Sequence, residues 1–398
     1  MSTTIDTTTE IRPFSVEISQ EQIDSLRRRI EATRWPTTEL VQDASQGIQL
    51  AFLQELARYW AEDYDFGRLE QRLNALPQYT TRIDGVDVHF IHVKSENENA
   101  LPLIITHGWP GSVIEMLDLI GPLTDPAVDG GDPADAFDLV IPSIPSLRSR
   151  RRPVGISARI GEAWAGLMKR LGYTRYVAEG GDQGAGVTDA MGRQAPDGPL
   201  GVHFNFLDAV PKELLMAALN PRLAFSHDDR EQLGKLVAIA MRGYIAEMGE
   251  HPQTIGYSLL DSPIGLAAWM VDHDADSYGK ISRAFVDGEP TGNLSRDNVL
   301  DNITLYWMTA SGASTSRLYW ETGRAATASF KDPPPHVKLP VAYTVFPDEL
   351  FQAPRHWVKH AYHNLGYYNE AAKGGHFAAW EQPDIFAEEM RAAFRSLR

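Results

Sequence analysis

Residues 175–186 read RYVAEGGDQGAG, and more of the architecture follows from this stretch than from any other. A short apolar run ends in two glycines, followed by Asp182 and a third glycine. This is the pattern of a nucleophile elbow, a tight strand-to-helix turn that presents one side chain at the carboxyl end of a sheet. Glycines are needed because such a turn leaves no room for side chains. The alternative is a plain glycine-rich turn in which Asp182 only caps the helix.

Strand and helix patterns alternate on both sides of this turn. Short apolar runs predict buried strands, alternation around an Asp-Gly pair predicts a hairpin, and wider apolar spacing predicts helices. We therefore expect an α/β protein with a mostly parallel sheet. The stretches concerned are TTRIDGVDVHFIHVKS at 80–95, LPLIITHG at 101–108, FDLVIPSIPS at 137–146, ISARIGEAWAGLMKRLGY at 156–173 and KLPVAYTVFPDEL at 338–350.

Four segments follow from these patterns. The pattern of residues 1–80 lacks the alternation typical of strands, and it predicts a helical and irregular N-terminal meander. Residues 81–210 and 332–398 predict two parts of one α/β core. Between them, residues 211–331 lose the strand pattern and become helical and rich in aromatic residues. We therefore expect a helical lid inserted into the core.

The composition excludes several classes of function. The 398 residues include no cysteine, which excludes disulfides, thiolate catalysis and cysteine-bound metals. The formal net charge of −16 argues against nucleic acid as a partner. The sequence contains neither a signal-peptide pattern nor an apolar run of about 18 residues. We expect a cytoplasmic protein without a membrane anchor, cofactor or metal, and a homodimer is the base-rate expectation.

Asp182 stands where esterases place serine, and this changes the chemistry of the elbow. A carboxylate is already anionic at neutral pH, so it attacks without the help of a base. Its natural target is a saturated carbon that bears a leaving oxygen or halide, and the product is an alkyl ester. Hydrolysis of that ester by water requires a general base. His376, in GGHF at 374–377, follows the last predicted strand and is the candidate.

A third group should orient the imidazole of that base. Asp348 and Glu349 lie side by side after the strand in VAYTVFPDEL, and position alone does not choose between them. The turn HGWPG at 107–111 follows an earlier strand. Because proline has no N–H, we expect the backbone N–H of Trp109 to form an oxyanion hole with that of Gln183.

Together these stretches resemble the epoxide hydrolases of the α/β-hydrolase superfamily, in the microsomal-type branch with an N-terminal epoxide hydrolase segment. The resemblance runs from RPFSVEISQEQIDSLRRRIEATRWP through HGWPGS and GGDQG to FPDEL and GGHFAAWEQPD, nearly the whole chain. It implies an α/β-hydrolase core, an inserted helical lid, and an N-terminal meander that wraps around both. It also implies hydrolysis of a small apolar epoxide to a vicinal diol, with Asp182 as nucleophile and His376 as base.

The resemblance extends to further residues. The family's acid takes the fourth position of an F-P-x-acid motif, which favours Glu349 over Asp348. Two lid tyrosines hold the epoxide oxygen in the family, and their sequence contexts resemble those of Tyr244 and of Tyr319, rather than Tyr306.

Two departures from the family are expected to alter the pocket. Gln183 stands where the family usually has tryptophan, which removes a flat aromatic wall but keeps the backbone N–H. An arginine-rich stretch at 146–153 replaces the family's Pro-Gly-Tyr-Gly turn.

Two rival hypotheses fit parts of the same pattern. A haloalkane dehalogenase shares the aspartate and histidine but holds a halide with tryptophan or asparagine N–H donors, so halide release would identify it. A non-catalytic ligand-binding protein of this fold usually lacks a member of the triad, whereas here the set is complete.

Overall fold

The computed structural model describes residues 10–144, 155–194, 197–206, 227–331 and 336–398. The arginine-rich stretch at 146–153 lies outside the described residues. So do residues 207–226, which include the expected boundary at 210, and residues 332–335, which directly follow the expected boundary at 331. The strands are β1 Ile11–Pro13, β2 Gln78–Ile83, β3 Val86–Val93, β4 Leu101–Thr106, β5 Phe137–Pro142, β6 Tyr176–Gly180, β7 Pro199–Phe204, β8 Val341–Val345 and β9 Leu365–Glu370.

These strands form one nine-stranded sheet in the order β1-β2-β3-β5-β4-β6-β7-β8-β9. The first three strands pair antiparallel, and β3 also pairs antiparallel with β5. The pairs from β5 through β4, β6, β7 and β8 to β9 are all parallel. The carboxyl ends of β4, β6, β8 and β9 therefore meet at one edge, where ligands bind in such sheets. The expected α/β class with a mostly parallel sheet is confirmed.

Both faces of the sheet are covered. Leu103 and Ile105 of β4 pack into the core on one face, and Ile104 between them packs into the core on the other. All three side chains are inaccessible to solvent. A strand buried on both sides must be apolar throughout, which is why the LPLIIT run carries no alternation.

Helices connect the parallel strands and occupy most of the described part of the interval between β7 and β8. The described helices that belong to this interval (residues 227–331) are called the inserted helices below. The helices are α1 Gln20–Glu31, α2 Leu50–Glu62, α3 Phe66–Asn74, α4 Ile120–Thr124, α5 Ile156–Arg170, α6 Asp182–Gln194, α7 His227–Ala240, α8 Gly243–Glu250, α9 Pro252–Asp261, α10 Pro263–Val271, α11 Ala275–Val286, α12 Arg296–Met308, α13 Gly312–Lys331, α14 Arg355–Ala361, α15 Ala378–Glu381 and α16 Pro383–Phe394.

The N-terminal helices hold the inserted helices through a buried carboxylate. Asp301 of α12 is fully buried and accepts a hydrogen bond of 2.7 Å from the Tyr64 hydroxyl. Arg72 and Arg68 of α3 form ion pairs with the same carboxylate, at 2.7 Å for Arg72. Nearby, the Trp60 indole donates to Thr304 of the same helix at 2.9 Å. A buried charge is tolerated only when it is paired and hydrogen-bonded in this way.

Two strands differ from the sequence-based expectation. The sequence predicts a helical and irregular N-terminal segment, yet Ile11 to Pro13 form β1, whose partner among the described strands is β2. At the other end of the sheet, β9 extends the parallel strands beyond β8. The hairpin between β2 and β3 is confirmed, with Asp84 and Gly85 at φ of 50° and 82°. Within the described ranges, no helix is both long and apolar enough to cross a bilayer.

Candidate active site

The turn after β6 has the geometry of a nucleophile elbow. The strand ends at Gly180, and Asp182 begins α6 with a positive φ of 46°. A Cβ atom on Gly184 would lie 2.0 Å from the carbonyl oxygen of Thr106, so only glycine fits. A Cβ on Gly108 would lie 2.4 Å from the Cβ of Asp182. The neighbouring turn therefore approaches the elbow closely, and the carboxylate of Asp182 lies at the carboxyl ends of β4 and β6.

One carboxylate oxygen of Asp182 is held by the backbone. The N–H of Trp109, which precedes a cis peptide bond to Pro110, donates to Oδ1 of Asp182 at 2.9 Å. Gln183 lies in the first turn of α6, where backbone N–H groups have no partner within the helix. Its side-chain oxygen lies 3.4 Å from the Thr322 hydroxyl of α13. The structure therefore brings both predicted oxyanion residues next to the nucleophile.

His376 faces the other oxygen of Asp182. Its Nε2 atom lies 3.9 Å from Oδ2 of Asp182, and its Nδ1 atom lies 2.8 Å from Oε1 of Glu349. Asp348, the alternative, is half exposed and contacts Lys280 instead. Burial alone would lower the pKa of His376, but the carboxylates of Glu349 and Asp182 outweigh it and raise this pKa to about 10. His376 therefore carries a proton while Asp182 is ionised.

The two predicted tyrosines come from the inserted helices. Tyr244 of α8 and Tyr319 of α13 are buried, with ring centroids 5.5 and 5.7 Å from that of Trp109. Burial first, and then the charge of Asp182, raise the pKa of both phenols well above its usual value. Both therefore remain protonated and can donate hydrogen bonds. The hydroxyl of Tyr306, by contrast, already donates to a backbone carbonyl at 2.7 Å.

A second histidine, which sequence reasoning missed, lies in the same site. Nδ1 of His273 is 3.0 Å from Oδ2 of Asp274, and its Nε2 is 3.0 Å from the Tyr244 hydroxyl. Its ring stacks on that of His376, with centroids 4.4 Å apart and planes at 23°. The local sequence VDHDADS shows only an N-cap aspartate before α11. This is Asp274, whose carboxylate accepts a hydrogen bond from the N–H of Ser277. Only the docking of the inserted helices on the core brings His273 to the site.

A small cavity of about 20 Å³, partly lined by polar side chains, lies beside Asp182 and His376. Burial raises the pKa of Glu115 to about 8, and burial together with Glu115 raises that of Glu179 well above its usual range. Both carboxylate oxygens of Glu179 and the Oδ1 atom of Asn205 have no hydrogen-bond partner among the described residues. Unpaired buried polar groups around a cavity of this kind are suited to holding water. The lining residues are His107, Gly108, Trp109, Glu115, Met116, Glu179, Gly181, Asp182, Asn205, His376, Phe377, Ala378, Ala379 and Phe386.

Three groups in the site have the right atoms to bind a metal. One ligand atom each from Asp182, His273 and His376 lie within 4.8 Å of one another. However, both histidines already use Nδ1 on a carboxylate, and their rings are nearly parallel. An ion between two parallel rings would lie well out of both ring planes, which is poor geometry for imidazole ligation. This arrangement suits proton transfer better than ligation.

Several known proteins are similar in sequence to this chain over nearly its whole length. Residues 11–116 match the family model described as the epoxide hydrolase N terminus. Epoxide hydrolase 1 of Sus scrofa is 33% identical over 96% of this chain and 88% of its own. A protein of Stigmatella aurantiaca whose name proposes an epoxide hydrolase is 45% identical over 98% of this chain and 86% of its own.

Solved structures agree with these relatives. The juvenile hormone epoxide hydrolase of the silkworm Bombyx mori superposes with a TM-score of 0.84 at 29% identity, covering 98% of this chain and 96% of that one. The epoxide hydrolase of Aspergillus niger superposes with a TM-score of 0.80 at 28% identity, covering 98% and 97%. The chain therefore belongs to the epoxide hydrolases of the α/β-hydrolase fold that carry the N-terminal epoxide hydrolase segment.

Proposed function

We propose that this protein converts an epoxide and water to a vicinal diol through an alkyl ester on Asp182. One observation carries the proposal above the others. A single carboxylate at the elbow lies between a histidine–glutamate pair on one side and two buried phenols of the inserted helices on the other. That arrangement supplies a nucleophile, a base for the second step, and proton donors for the leaving oxygen.

In the first step, the free oxygen of Asp182 attacks a ring carbon. Its Oδ1 atom is held by the Trp109 N–H, so Oδ2 is the attacking atom and Oδ1 becomes the ester carbonyl. The C–O bond of the ring breaks, and Tyr244 and Tyr319 donate hydrogen bonds to the leaving oxygen. Phenols suit this task because they donate to an ether oxygen and can release a proton to an alkoxide.

In the second step, water cleaves the ester. Formation of the ester removes the negative charge of Asp182, which is one of the groups that raise the pKa of His376. The pKa of His376 therefore falls when the ester forms, and the imidazolium releases its Nε2 proton to solvent water and becomes a base. It takes a proton back from solvent once Asp182 is again a carboxylate. Glu349 orients the ring, and water from the adjacent polar cavity attacks the ester carbonyl.

The same carbonyl oxygen bears the charge of the tetrahedral intermediate. The Trp109 N–H already lies 2.9 Å from that oxygen, and we assign the second donor to the N–H of Gln183. Donors fixed in place before the reaction stabilise the charge without further rearrangement, and loss of one typically costs about 100- to 1,000-fold in rate.

The inserted helices act as a lid over this site, and the segments on either side of them form one core. The aromatic surroundings of Tyr244 and Tyr319 favour a small apolar epoxide as substrate. The cytoplasmic location and the homodimer stay predictions, and light scattering in solution would test the homodimer through a mass of twice 44.2 kDa.

The first experiment measures diol formation from a panel of aryl and alkyl epoxides. Wild type should form diol, and Asp182→Asn should form none, because the amide is a poor nucleophile. Asp84→Asn is the matched control, since Asp84 lies at a hairpin turn with a positive φ that asparagine also accepts.

The control should retain wild-type turnover. Diol from Asp182→Asn at the wild-type rate would overturn the covalent scheme. Halide release from chloroalkanes, without turnover of any epoxide, would instead identify a dehalogenase.

A further inference from the structure

The inserted helices contain a hydrogen-bonded chain that ends on one of the two proposed proton donors. Asp274 lies at the N-cap of α11, where its Oδ1 atom accepts from the Ser277 N–H at 2.8 Å. Its Oδ2 atom lies 3.0 Å from Nδ1 of His273, whose Nε2 lies 3.0 Å from the Tyr244 hydroxyl. His273 and Asp274 are nearly inaccessible to solvent. Each group in this hydrogen-bonded series therefore has a fixed partner.

The protonation state of His273 decides where the proton of Tyr244 points. An ionised Asp274 fixes the proton of His273 on Nδ1, so Nε2 of the neutral ring accepts the hydrogen bond of the Tyr244 hydroxyl. The phenolic proton then points away from the substrate. When His273 carries a second proton, its Nε2–H donates to the Tyr244 oxygen, and the phenolic proton is free for the epoxide. Tyr319 differs, because its hydroxyl has no partner within hydrogen-bonding distance among the described residues. Its nearest polar neighbours are the Gln183 side chain and the Tyr244 hydroxyl, neither of which changes charge near neutral pH.

We propose that His273, held by Asp274, is a positioning residue that switches Tyr244 between an idle and a donating state during ring opening. This inference rests on the proposed function and deepens it, since it divides the work between the two phenols. Tyr319 donates to the epoxide oxygen in both states of His273, and Tyr244 joins it only when His273 is protonated.

The proton balance closes over one turnover. The ring C–O bond breaks as the bond from Asp182 to the ring carbon forms, and the ring oxygen takes the phenolic proton of Tyr244. The Tyr244 oxygen takes the Nε2 proton of His273, which becomes neutral. Hydrolysis of the ester yields the carboxylic acid of Asp182, and the proton lost from that acid returns to His273 through water.

Several charged groups surround His273 and set the pH at which it switches. Burial, and then the charge of the stacked His376, lower the pKa of His273 from its ordinary 6.5, while Asp274 and Asp182 oppose that shift. Arg242, at the N-cap of α8, donates to the backbone carbonyl of His273. The switch should therefore lie on the acid side of pH 6.5, well separated from the titration of His376.

The test is the pH profile of ester formation in a single turnover, measured by rapid quench. Wild type should react faster at acid pH and slow by about tenfold as pH rises through the pKa of His273, because Tyr244 must then break a buried hydrogen bond to donate. The His273→Gln variant retains a polar partner for Tyr244, but glutamine does not titrate. Its rate of ester formation should therefore not change over the pH range in which wild type slows. Tyr244→Phe should also remove the step.

A double-mutant cycle separates this role from a merely structural one. In a Tyr244→Phe background, His273→Gln should change the rate by less than about twofold, because His273 acts through Tyr244. Asp274→Asn should keep the step but move it to lower pH, since the imidazolium loses its carboxylate. His92→Gln is the matched control, because His92 and Tyr173 form another histidine–tyrosine hydrogen bond, of 2.8 Å, elsewhere on the protein.

The outcomes distinguish the two levels of the proposal. A step that persists in His273→Gln, or equal effects of that substitution with and without Tyr244, would overturn the inference. The inference would also be overturned if wild type forms the ester at a rate that does not rise at acid pH. If wild type opens no epoxide, the proposed function fails, and the inference fails with it.

Discussion

Two histidine–carboxylate pairs stack against each other in this site, one from the core and one from the inserted helices. His376 is held by Glu349 at 2.8 Å, and His273 is held by Asp274 at 3.0 Å. Although the two pairs have the same chemistry, the pKa of His376 is raised to about 10 and that of His273 is lowered. The difference shows that the surroundings, and not the pair itself, decide what each imidazole can do.

The cause lies in which charges each ring meets. His376 faces the carboxylate of Asp182 in addition to Glu349, and these charges outweigh the effect of burial. Among the described residues, His273 is hydrogen-bonded to one carboxylate, that of Asp274, and it stacks on the positively charged His376, so burial prevails although Asp182 also opposes the shift. Two imidazolium rings 4.4 Å apart repel each other, and the proton stays on the ring nearer to the nucleophile.

The largest effect is expected from breaking the core pair. Glu349→Gln removes the carboxylate that orients His376, and steady-state turnover should fall by at least about 100-fold, the lower range for a positioned general base. Asp348→Asn is the matched control at the adjacent position. Because Asp348 is half exposed and contacts Lys280, this change should alter turnover by less than about threefold. Equal losses in both variants would contradict the assignment of Glu349.

The next prediction compares the two phenols, Tyr319 and Tyr244, by the loss in rate when each is replaced by phenylalanine. Above pH 7, Tyr319→Phe should slow ester formation by about 100-fold, because it removes a donor whose proton is not held by an imidazole in the resting site. Tyr244→Phe should slow it by less than about tenfold, because the neutral His273 already accepts the proton of Tyr244. Single-turnover rates of the two variants test this order, and a larger loss in Tyr244→Phe would reverse it.

The last contrast is in stability, where the two histidines should behave oppositely. A raised pKa in the folded state means that protonation of His376 stabilises the fold fully below pH 6.5, and that this contribution is lost as pH rises through about 10. The lowered pKa of His273 stabilises the fold above pH 6.5, and this contribution is lost as pH falls.

Urea unfolding at several pH values measures both contributions. The difference in free energy of unfolding between wild type and His376→Gln should shrink towards alkaline pH. The corresponding difference for His273→Gln should shrink towards acid pH. If both differences move in the same direction, the contrast between the two surroundings is wrong.

The core half of the site could be predicted because its signals are local. The glycines around Asp182 are required by contacts within the elbow and with the adjacent turn, so their spacing is visible in the sequence. Position in the sequence does not separate Glu349 from Asp348, since neighbours on one turn differ only in which way their side chains face. The turn places Glu349 in the site and leaves Asp348 at the surface.

The second half depends on contacts between distant parts of the chain. His273 reaches the site only because the inserted helices dock on the core, and one side of that docking is the buried Asp301 held by the N-terminal helices. No local pattern encodes a contact across more than 200 residues. The same reason explains why the sequence does not predict β1, whose three residues pair with the distant β2.

The most direct test of the central claim is to trap the ester. In the His376→Gln variant, Asp182 should still attack the epoxide. The variant lacks the base for hydrolysis, so the ester should persist. After incubation with substrate, mass spectrometry should find the peptide that contains Asp182 heavier by the intact epoxide. The double variant with Asp182→Asn should stay unmodified. An unmodified peptide in His376→Gln, while wild type consumes the same epoxide, would contradict attack by Asp182.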